Sequence, residues 1–205
     1  MQKIYSMTFS EIGLNKNIQK AITDLGFDTP TPIQQESIPY LLENMNDLIA
    51  LAQTGTGKTA AFGLPVLHKI DVERKLPQVI ILCPTRELCL QIAKDMETYA
   101  KYIKGLKITA VYGGASIMPQ IKSLKSGTQI VVGTPGRVID LINRKSLKLQ
   151  DIEFVVLDEA DEMLNMGFKD DLDTILAETP SEKQTLLFSA TMPKEVMRIS
   201  KNYMQ

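Results

Sequence analysis

The sequence predicts an α/β fold, an open and mostly parallel doubly wound sheet with helices on both faces. Three observations predict it. Six short aliphatic, β-branched runs recur along the 205 residues, and several are continuously apolar, as strands covered on both faces must be. Helical patterns separate these runs, so strand and helix alternate. The glycine-, carboxylate- and arginine-bearing segments fall just after the runs, where such sheets bind ligands.

In chain order, two short helical patterns come first. Leu14, Ile18, Ala21, Ile22 and Leu25 mark one, stopped by Gly26; Ile33, Ser37, Ile38 and Leu41 mark the other. Thr31-Pro32-Ile33-Gln34 fits a capping box, with threonine as N-cap, proline at the first helical position and glutamine at the third. The first strand, Leu48–Ala52, runs into Ala52-Gln53-Thr54-Gly55-Thr56-Gly57-Lys58-Thr59 and then a helix over Ala60–Ile70. Asp71–Pro77 is a polar surface loop. Strand Val79–Cys83 precedes the clearest amphipathic pattern, Arg86–Ile103, whose stripe is Leu88, Cys89, Ile92, Ala93, Met96, Ala100 and Ile103. Strands Lys107–Val111, Gln129–Val132, Phe154–Asp158 and Thr185–Ser189 complete the set. Met163, Leu164, Met166 and Phe168 read as core or helix-packing residues. The last residues, from Ile199 to Gln205, run out of a helix without a closing element, which reads as a cut. A single domain over 1–205 is expected, with N-terminal helices in 1–45 and the sheet core in 46–205.

Composition bounds the function. Hydrophobic residues make up 44% and charged residues 23%, ordinary for a globular protein. The longest apolar run, Val79–Cys83, is far short of the ~18 residues a membrane helix needs. The first seven residues lack the layout of a secretory leader. Cys83 and Cys89 sit in apolar settings and read as reduced core thiols of a cytoplasmic protein. With His68 the sole histidine, no zinc site is expected. The net charge of −1 supplies no bulk attraction for nucleic acid, so any such binding must be local.

The loop at 52–59 carries the chemistry. Gly55 and Gly57 let backbone N–H groups turn toward a polyphosphate. The helix N-terminus adds positive potential, Lys58 can reach outer phosphates, and the Thr59 hydroxyl can meet a magnesium ion. The strict phosphate-loop pattern has glycine where this chain has Ala52. Asp158-Glu159 closes an apolar strand: Asp158 can hold magnesium, and Glu159 can orient and deprotonate a water. Taken alone, Asp158-Glu159-Ala160-Asp161-Glu162 reads more simply as a solvated acidic helix start, and the upstream lysine-bearing loop is what favours the catalytic pair. For Thr85 and Thr134, helix capping and phosphate contact both fit.

With both segments in view, the chain resembles the DEAD-box family of ATP-dependent RNA helicases. Asp158-Glu159-Ala160-Asp161 and the loop at 52–59 carry the resemblance, and Ala52 is the form that family uses. Five further motifs follow in family order. Gly26-Phe27-Asp28-Thr29-Pro30-Thr31-Pro32-Ile33-Gln34, with Phe9 upstream, resembles the adenine-recognition motif. Pro84-Thr85-Arg86-Glu87-Leu88, Gly113-Gly114 and Thr134-Pro135-Gly136-Arg137 resemble the RNA-contact motifs. Ser189-Ala190-Thr191 resembles the motif that couples ATP use to RNA, and the resemblance gives Asp161 a part in that coupling.

The resemblance implies a RecA-like phosphate-loop domain that uses ATP and Mg²⁺. Gln34 would pair with adenine, with Phe27 packed on the ring. Pro84, Thr85, Arg86, Gly113, Gly114, Thr134, Pro135, Gly136 and Arg137 would grip the RNA backbone without reading sequence. A complete member carries a second RecA-like domain whose arginines finish the ATPase site. The 205-residue chain is therefore expected to bind nucleotide as a cytoplasmic monomer and to unwind nothing alone. A free-standing phosphate-loop NTPase and a non-catalytic binding module are the rival readings. The first lacks a candidate acceptor or lid segment, and intact Lys58, Asp158 and Glu159 weigh against the second.

Overall fold

The computed structural model describes residues 7–205; the reading of the leader at residues 1–6 lies outside the described residues. The elements are a 3-10 turn at Phe9–Glu11, then α1 (Lys16–Asp24), α2 (Pro32–Glu43), β1 (Leu48–Leu51), α3 (Lys58–Lys69), β2 (Val79–Leu82) and α4 (Arg86–Tyr99). They continue with β3 (Ile108–Val111), α5 (Ile117–Lys125), β4 (Ile130–Gly133), α6 (Pro135–Asn143), β5 (Phe154–Leu157), α7 (Ala160–Asn165), α8 (Lys169–Ala177), β6 (Gln184–Ser189) and α9 (Lys194–Tyr203). The sheet order is β1-β6-β5-β2-β4-β3, and every pairing is parallel, so the sheet is wholly rather than mostly parallel.

Handedness decides which face each helix covers. The chain first moves outward, β1 to β2 to β3, and then returns through β4, β5 and β6. A right-handed crossover must change face when the direction of travel reverses. Accordingly α1–α4 pack with Val79, Ile81, Val132 and Phe188 on one face. Helices α5–α9 pack with Ile80, Leu82, Val131 and Leu187 on the other. Alternate residues of one strand thus enter two separate cores, which is why the runs read as continuously apolar.

Three glutamines close the amino edge of the sheet. Gln78, Gln129 and Gln184 lie at the entries to β2, β4 and β6 and are almost fully buried. Gln78 donates to the carbonyls of Asp71 (2.7 Å) and Arg74 (2.9 Å). Gln129 donates to Val72 and Gly105, and Gln184 to Asn44 and Asn46. Loops that would otherwise bury bare carbonyls are satisfied this way.

Four differences from the expected elements have local causes. The third helix of the α1–α4 layer starts at Lys58, not Ala60, because left-handed Gly57 caps it and draws Lys58 and Thr59 into its first turn. Helix α4 stops at Tyr99: Ala100 leaves helical geometry (φ −89°, ψ 7°), and the Lys101 and Ile103 N–H groups bond three residues back, to Thr98 and Ala100, in turns. Helices α5 and α8 had no expected counterpart; each is nine residues long with a short stripe, Ile121/Leu124 and Leu172/Ile175/Leu176. Of Met163, Leu164, Met166 and Phe168, three pack against the second core, but Met166 is exposed where Gly167 turns the chain out of α7.

His68 ties the phosphate-loop helix to α1. Its Nδ1 accepts the Asn15 N–H at 3.1 Å, while Asn15 caps α1 through Ile18. Burial, reinforced by Lys69, holds the imidazole pKa below its ordinary value. The unfolded chain therefore takes up a proton at a pH where the folded chain does not. The latch contributes fully above the ordinary histidine value of about 6.5 and is lost as pH falls through the lower folded value. Thermal unfolding midpoints should fall on acidification from about pH 7 to 5, and His68→Gln should flatten part of that fall. Equal pH slopes for the two proteins would remove His68 from the account.

Candidate active site

The site is built at the carboxyl edge of the sheet, where the loops after β1, β2, β3, β4, β5 and β6 meet. After β1, Gly55 and Gly57 adopt φ of +82° and +87°, a region costly for other residues. Gly57 also lies too close to α2 for a side chain: a Cβ there would stand 2.4 Å from Gln34 Nε2 and 2.9 Å from Thr31 Oγ1. Helix α2 clamps the loop through that approach. The Thr31 hydroxyl donates to Thr56 O (2.9 Å) and Gln34 Nε2 to Gly57 O (3.1 Å), while Thr56 Oγ1 donates to Gln53 O (2.7 Å).

Gln34 meets the capping expectation too, since its Oε1 accepts the Thr31 N–H at 2.9 Å. Its amide keeps one hydrogen and one lone pair beyond these two bonds. Phe27 stacks on Phe9, centroids 5.9 Å apart, and tilts against Tyr99 at 6.2 Å. Phe27 lines the cavity next to the loop, whereas Phe9 is buried behind it and does not. Phe9 supports Phe27 from that side and lines, with Phe27, a neighbouring cavity between the 3-10 turn and α1.

Lys58, almost buried, faces the carboxylates after β5. Its Nζ is 3.2 Å from Asp158 Oδ1 and 3.9 Å from Glu159 Oε1. The contact to Asp158 is an ion pair at 3.2 Å that makes no well-formed hydrogen bond to that buried oxygen. Burial pushes the Asp158 carboxyl up, and Lys58 only partly offsets it. Burial also raises Glu159, again opposed by Lys58. Glu159 has φ +53°, one of two non-glycine residues among those described in the left-handed region, a strain of about 1–3 kcal/mol typical of functional sites. Nothing in the sequence signals that strain.

These groups share one cavity of about 340 Å³. Gly55, Gly57, Lys58, Thr59, Asp158 and Glu159 line it together with Phe27 and Gln34, the latter in direct contact with Gly57. Helix α4 supplies a wall, Leu88, Gln91, Asp95 and Tyr99, that the motif reading missed. Thr54, exposed on the loop, also lines the cavity.

The remaining motif residues form two groups. Asp161 Oδ2 accepts from Thr191 N (3.0 Å) and Thr191 Oγ1 (2.7 Å), and Asp161 N donates to Ser189 Oγ (3.2 Å). Burial raises the Asp161 carboxyl, but these hydrogen bonds outweigh it and hold it below its ordinary value. Ala190 is exposed between the two partners. On the other side, Arg86 lies over the Tyr112 ring, 5.0 Å from its centroid, and donates to Gly114 O at 3.4 Å. Arg137 donates to Ala115 O (3.0 Å) and to Gln120 Oε1 (2.9 Å), the latter a buried residue the motif reading missed. Both arginines thus converge on the Gly113–Gly114 loop. Thr85 caps α4 by accepting Leu88 N, with Pro84 buried before it. Thr134 heads α6 without a cap bond, followed by buried Pro135 and open Gly136.

The sequence matches the family model described as DEAD/DEAH box helicase over residues 31–199. It is 54% identical over 198 residues to an ATP-dependent RNA helicase DeaD of Haemophilus influenzae, covering 97% of this chain and 32% of that protein. An ATP-dependent RNA helicase CshA of Listeria monocytogenes is 56% identical over 196 residues, with 96% and 37% covered. The chain thus spans about a third of the length of these curated relatives. The crystal structure of a DEAD box protein from the hyperthermophile Methanococcus jannaschii superposes with a TM-score of 0.92 at 47% identity, over 97% of this chain and 54% of that one. That of a hypothetical ATP-dependent RNA helicase from Sulfolobus tokodaii gives 0.84 at 38%, over 93% and 55%.

Proposed function

The chain belongs to the DEAD/DEAH box helicase family, and on that premise we propose that it is the ATP- and Mg²⁺-binding domain of an RNA-remodelling ATPase. One observation carries the reading: a single cavity lined by a glycine-and-lysine phosphate cradle, an aromatic ring and an amide with one hydrogen and one lone pair to spare. A nucleoside triphosphate presents the matching chemistry, phosphates and a base with donor and acceptor edges. The buried carboxylate of Asp158, facing only the Lys58 ammonium at 3.2 Å and without a well-aligned hydrogen bond at Oδ1, fits a hard cation, and Thr59 with Asp158 would hold it. Bound there, Mg²⁺ neutralises charge on the phosphates.

The chain's own groups do the rest. Lys58 holds the outer phosphates. Glu159, its carboxyl raised above the ordinary value by burial, orients the attacking water and accepts its proton. Arg86, Arg137 and the Gly113–Gly114 loop contact RNA phosphate and sugar, so sequence preference is weak. Asp161 bonds the Ser189–Thr191 segment at the edge of the nucleotide site and transmits its state. No arginine lines the cavity among the described residues. An arginine from a second RecA-like domain, worth ~10³–10⁵ in rate, completes the ATPase site. The two buried, free thiols suit a cytoplasmic location.

Calorimetric titration followed by turnover on the same samples tests this. With Mg²⁺, ATP and ADP should bind in preference to GTP, and Gln34→Ala should cut that preference by about tenfold, the worth of one or two hydrogen bonds. Turnover by the 205-residue chain should be slow and should not unwind duplex RNA. Equal affinity for ATP and GTP sinks the adenine assignment; turnover at the rate of a two-domain helicase sinks the need for the second domain.

A further inference from the structure

Helix α4 turns two different stripes to its surroundings. Cys89, Ile92, Ala93 and Met96 are buried in the core, as an amphipathic helix requires. Leu88, Gln91, Asp95 and Tyr99, spaced by three and four residues, line the cavity, Tyr99 being buried in the core as well. Gly63 of α3 lets α4 approach: a Cβ there would stand 2.6 Å from Met96 Sδ and 3.7 Å from the Tyr99 ring. The α4 wall is therefore held against the first turns of the phosphate-loop helix.

At the centre of the wall is an acceptor with little to accept. Gln91 Nε2 donates to Asp95 Oδ1 at 2.8 Å, the single hydrogen bond made by the Asp95 carboxylate among the described residues. Burial pushes this carboxyl up, and the Gln91 bond and the charge of neighbouring Lys94 offset that only in part. A half-buried carboxylate in this state calls for neutral donors, because it can only accept. Asp95 lines the same cavity as the phosphate cradle and as Phe27 and Gln34. In a nucleotide, the part between phosphates and base is a sugar carrying vicinal hydroxyls, which are neutral donors. Nucleotide-binding α/β folds elsewhere use an acidic side chain for the same purpose.

We propose that Asp95, oriented by Gln91, accepts hydrogen bonds from the ribose hydroxyls of the bound nucleotide and makes the site selective for ribonucleotides. The inference rests on the adenine-nucleotide reading of the cavity. Asp95 is a binding residue and Gln91 a positioning residue. A site built to bond a hydroxyl discriminates against the analogue that lacks it, and a half-buried bond of this kind is worth about tenfold.

Calorimetry with Mg²⁺ and ATP, 2′-deoxyATP, 3′-deoxyATP and GTP provides the test, on the wild-type chain and on Asp95→Ala and Gln91→Ala. The expected result is about tenfold weaker binding of at least one deoxy analogue by the wild type. Asp95→Ala should bind ATP no better than that analogue, with the analogue's own affinity unchanged. Gln91→Ala should retain part of the selectivity. A wild type that binds ATP ahead of GTP yet treats both deoxy analogues like ATP overturns the ribose assignment alone. So does an Asp95→Ala chain that keeps full selectivity, or one that binds ATP more tightly because a repelling charge has gone. If ATP is not preferred over GTP, the adenine reading falls first and the ribose assignment with it.

Discussion

Replacing Lys58 by alanine should weaken ATP binding by about 3 kcal/mol, or roughly 100-fold, the order seen when one partner of a buried charged contact is truncated. Lys58 is the one cationic side chain lining the cavity among the described residues. Its ammonium is held in place by Asp158 and Glu159 at 3.2 and 3.9 Å, so little ordering cost remains when phosphate arrives. The variant should nevertheless stay folded. Without Lys58 the buried Asp158, already raised by burial, takes up a proton rather than remain an unpaired charge. Titration calorimetry measures the first effect and thermal unfolding the second. Wild-type affinity in Lys58→Ala would remove the phosphates from the vicinity of Lys58.

The second large effect concerns stability. Gly57→Ala must adopt φ near +87° and drive a methyl to 2.4 Å from Gln34 Nε2. The left-handed backbone costs about 1–2 kcal/mol. Displacing the Gln34 and Thr31 hydrogen bonds to the loop costs about 1 kcal/mol each. A total near 3 kcal/mol corresponds to a fall of about 6–12 °C in Tm for a chain of this size. Gly55→Ala is the control: its φ is +82°, but a Cβ there meets nothing within 4 Å, so it should lose only the backbone part. Combining Gly57→Ala with Gln34→Ala should cost less than the sum of the two, because the clash and the lost bond are one event. Equal losses for Gly55→Ala and Gly57→Ala would mean that contact with α2 is not what keeps residue 57 a glycine.

The strands were legible because of the two-sided burial of a parallel sheet: Val79–Leu82 is apolar at every position since Val79 and Ile81 enter one core and Ile80 and Leu82 the other. Helix ends were less so. Arg86–Ile103 keeps its apolar stripe past Tyr99, but a turn rather than a helix carries Ala100 and Ile103. Helix α5 escaped notice because Pro119 reads as a breaker, although in the first turn it removes no needed hydrogen bond. Within the site, residues in contiguous motifs were visible as chemistry. What the sequence left hidden was tertiary: Phe9 behind Phe27, Gln120 under Arg137, the strained backbone of Glu159, and a wall of α4 set in place by Gly63. None of these has a spacing of its own, because each depends on which elements the topology makes neighbours.

The glutamine trio at the amino edge has a consequence for how this domain can work. Gln78, Gln129 and Gln184 bind their loops through amides, which carry no charge at any pH and are little screened by salt. Every strand that ends at the nucleotide or arginine clusters begins at or beside one of these neutral rivets. Charge can therefore be gained, lost or rearranged along the carboxyl edge without loosening the opposite one. The sheet behaves as an anvil: its underside is riveted at three strands by neutral amides, and the nucleotide and arginine clusters lie on the working surface.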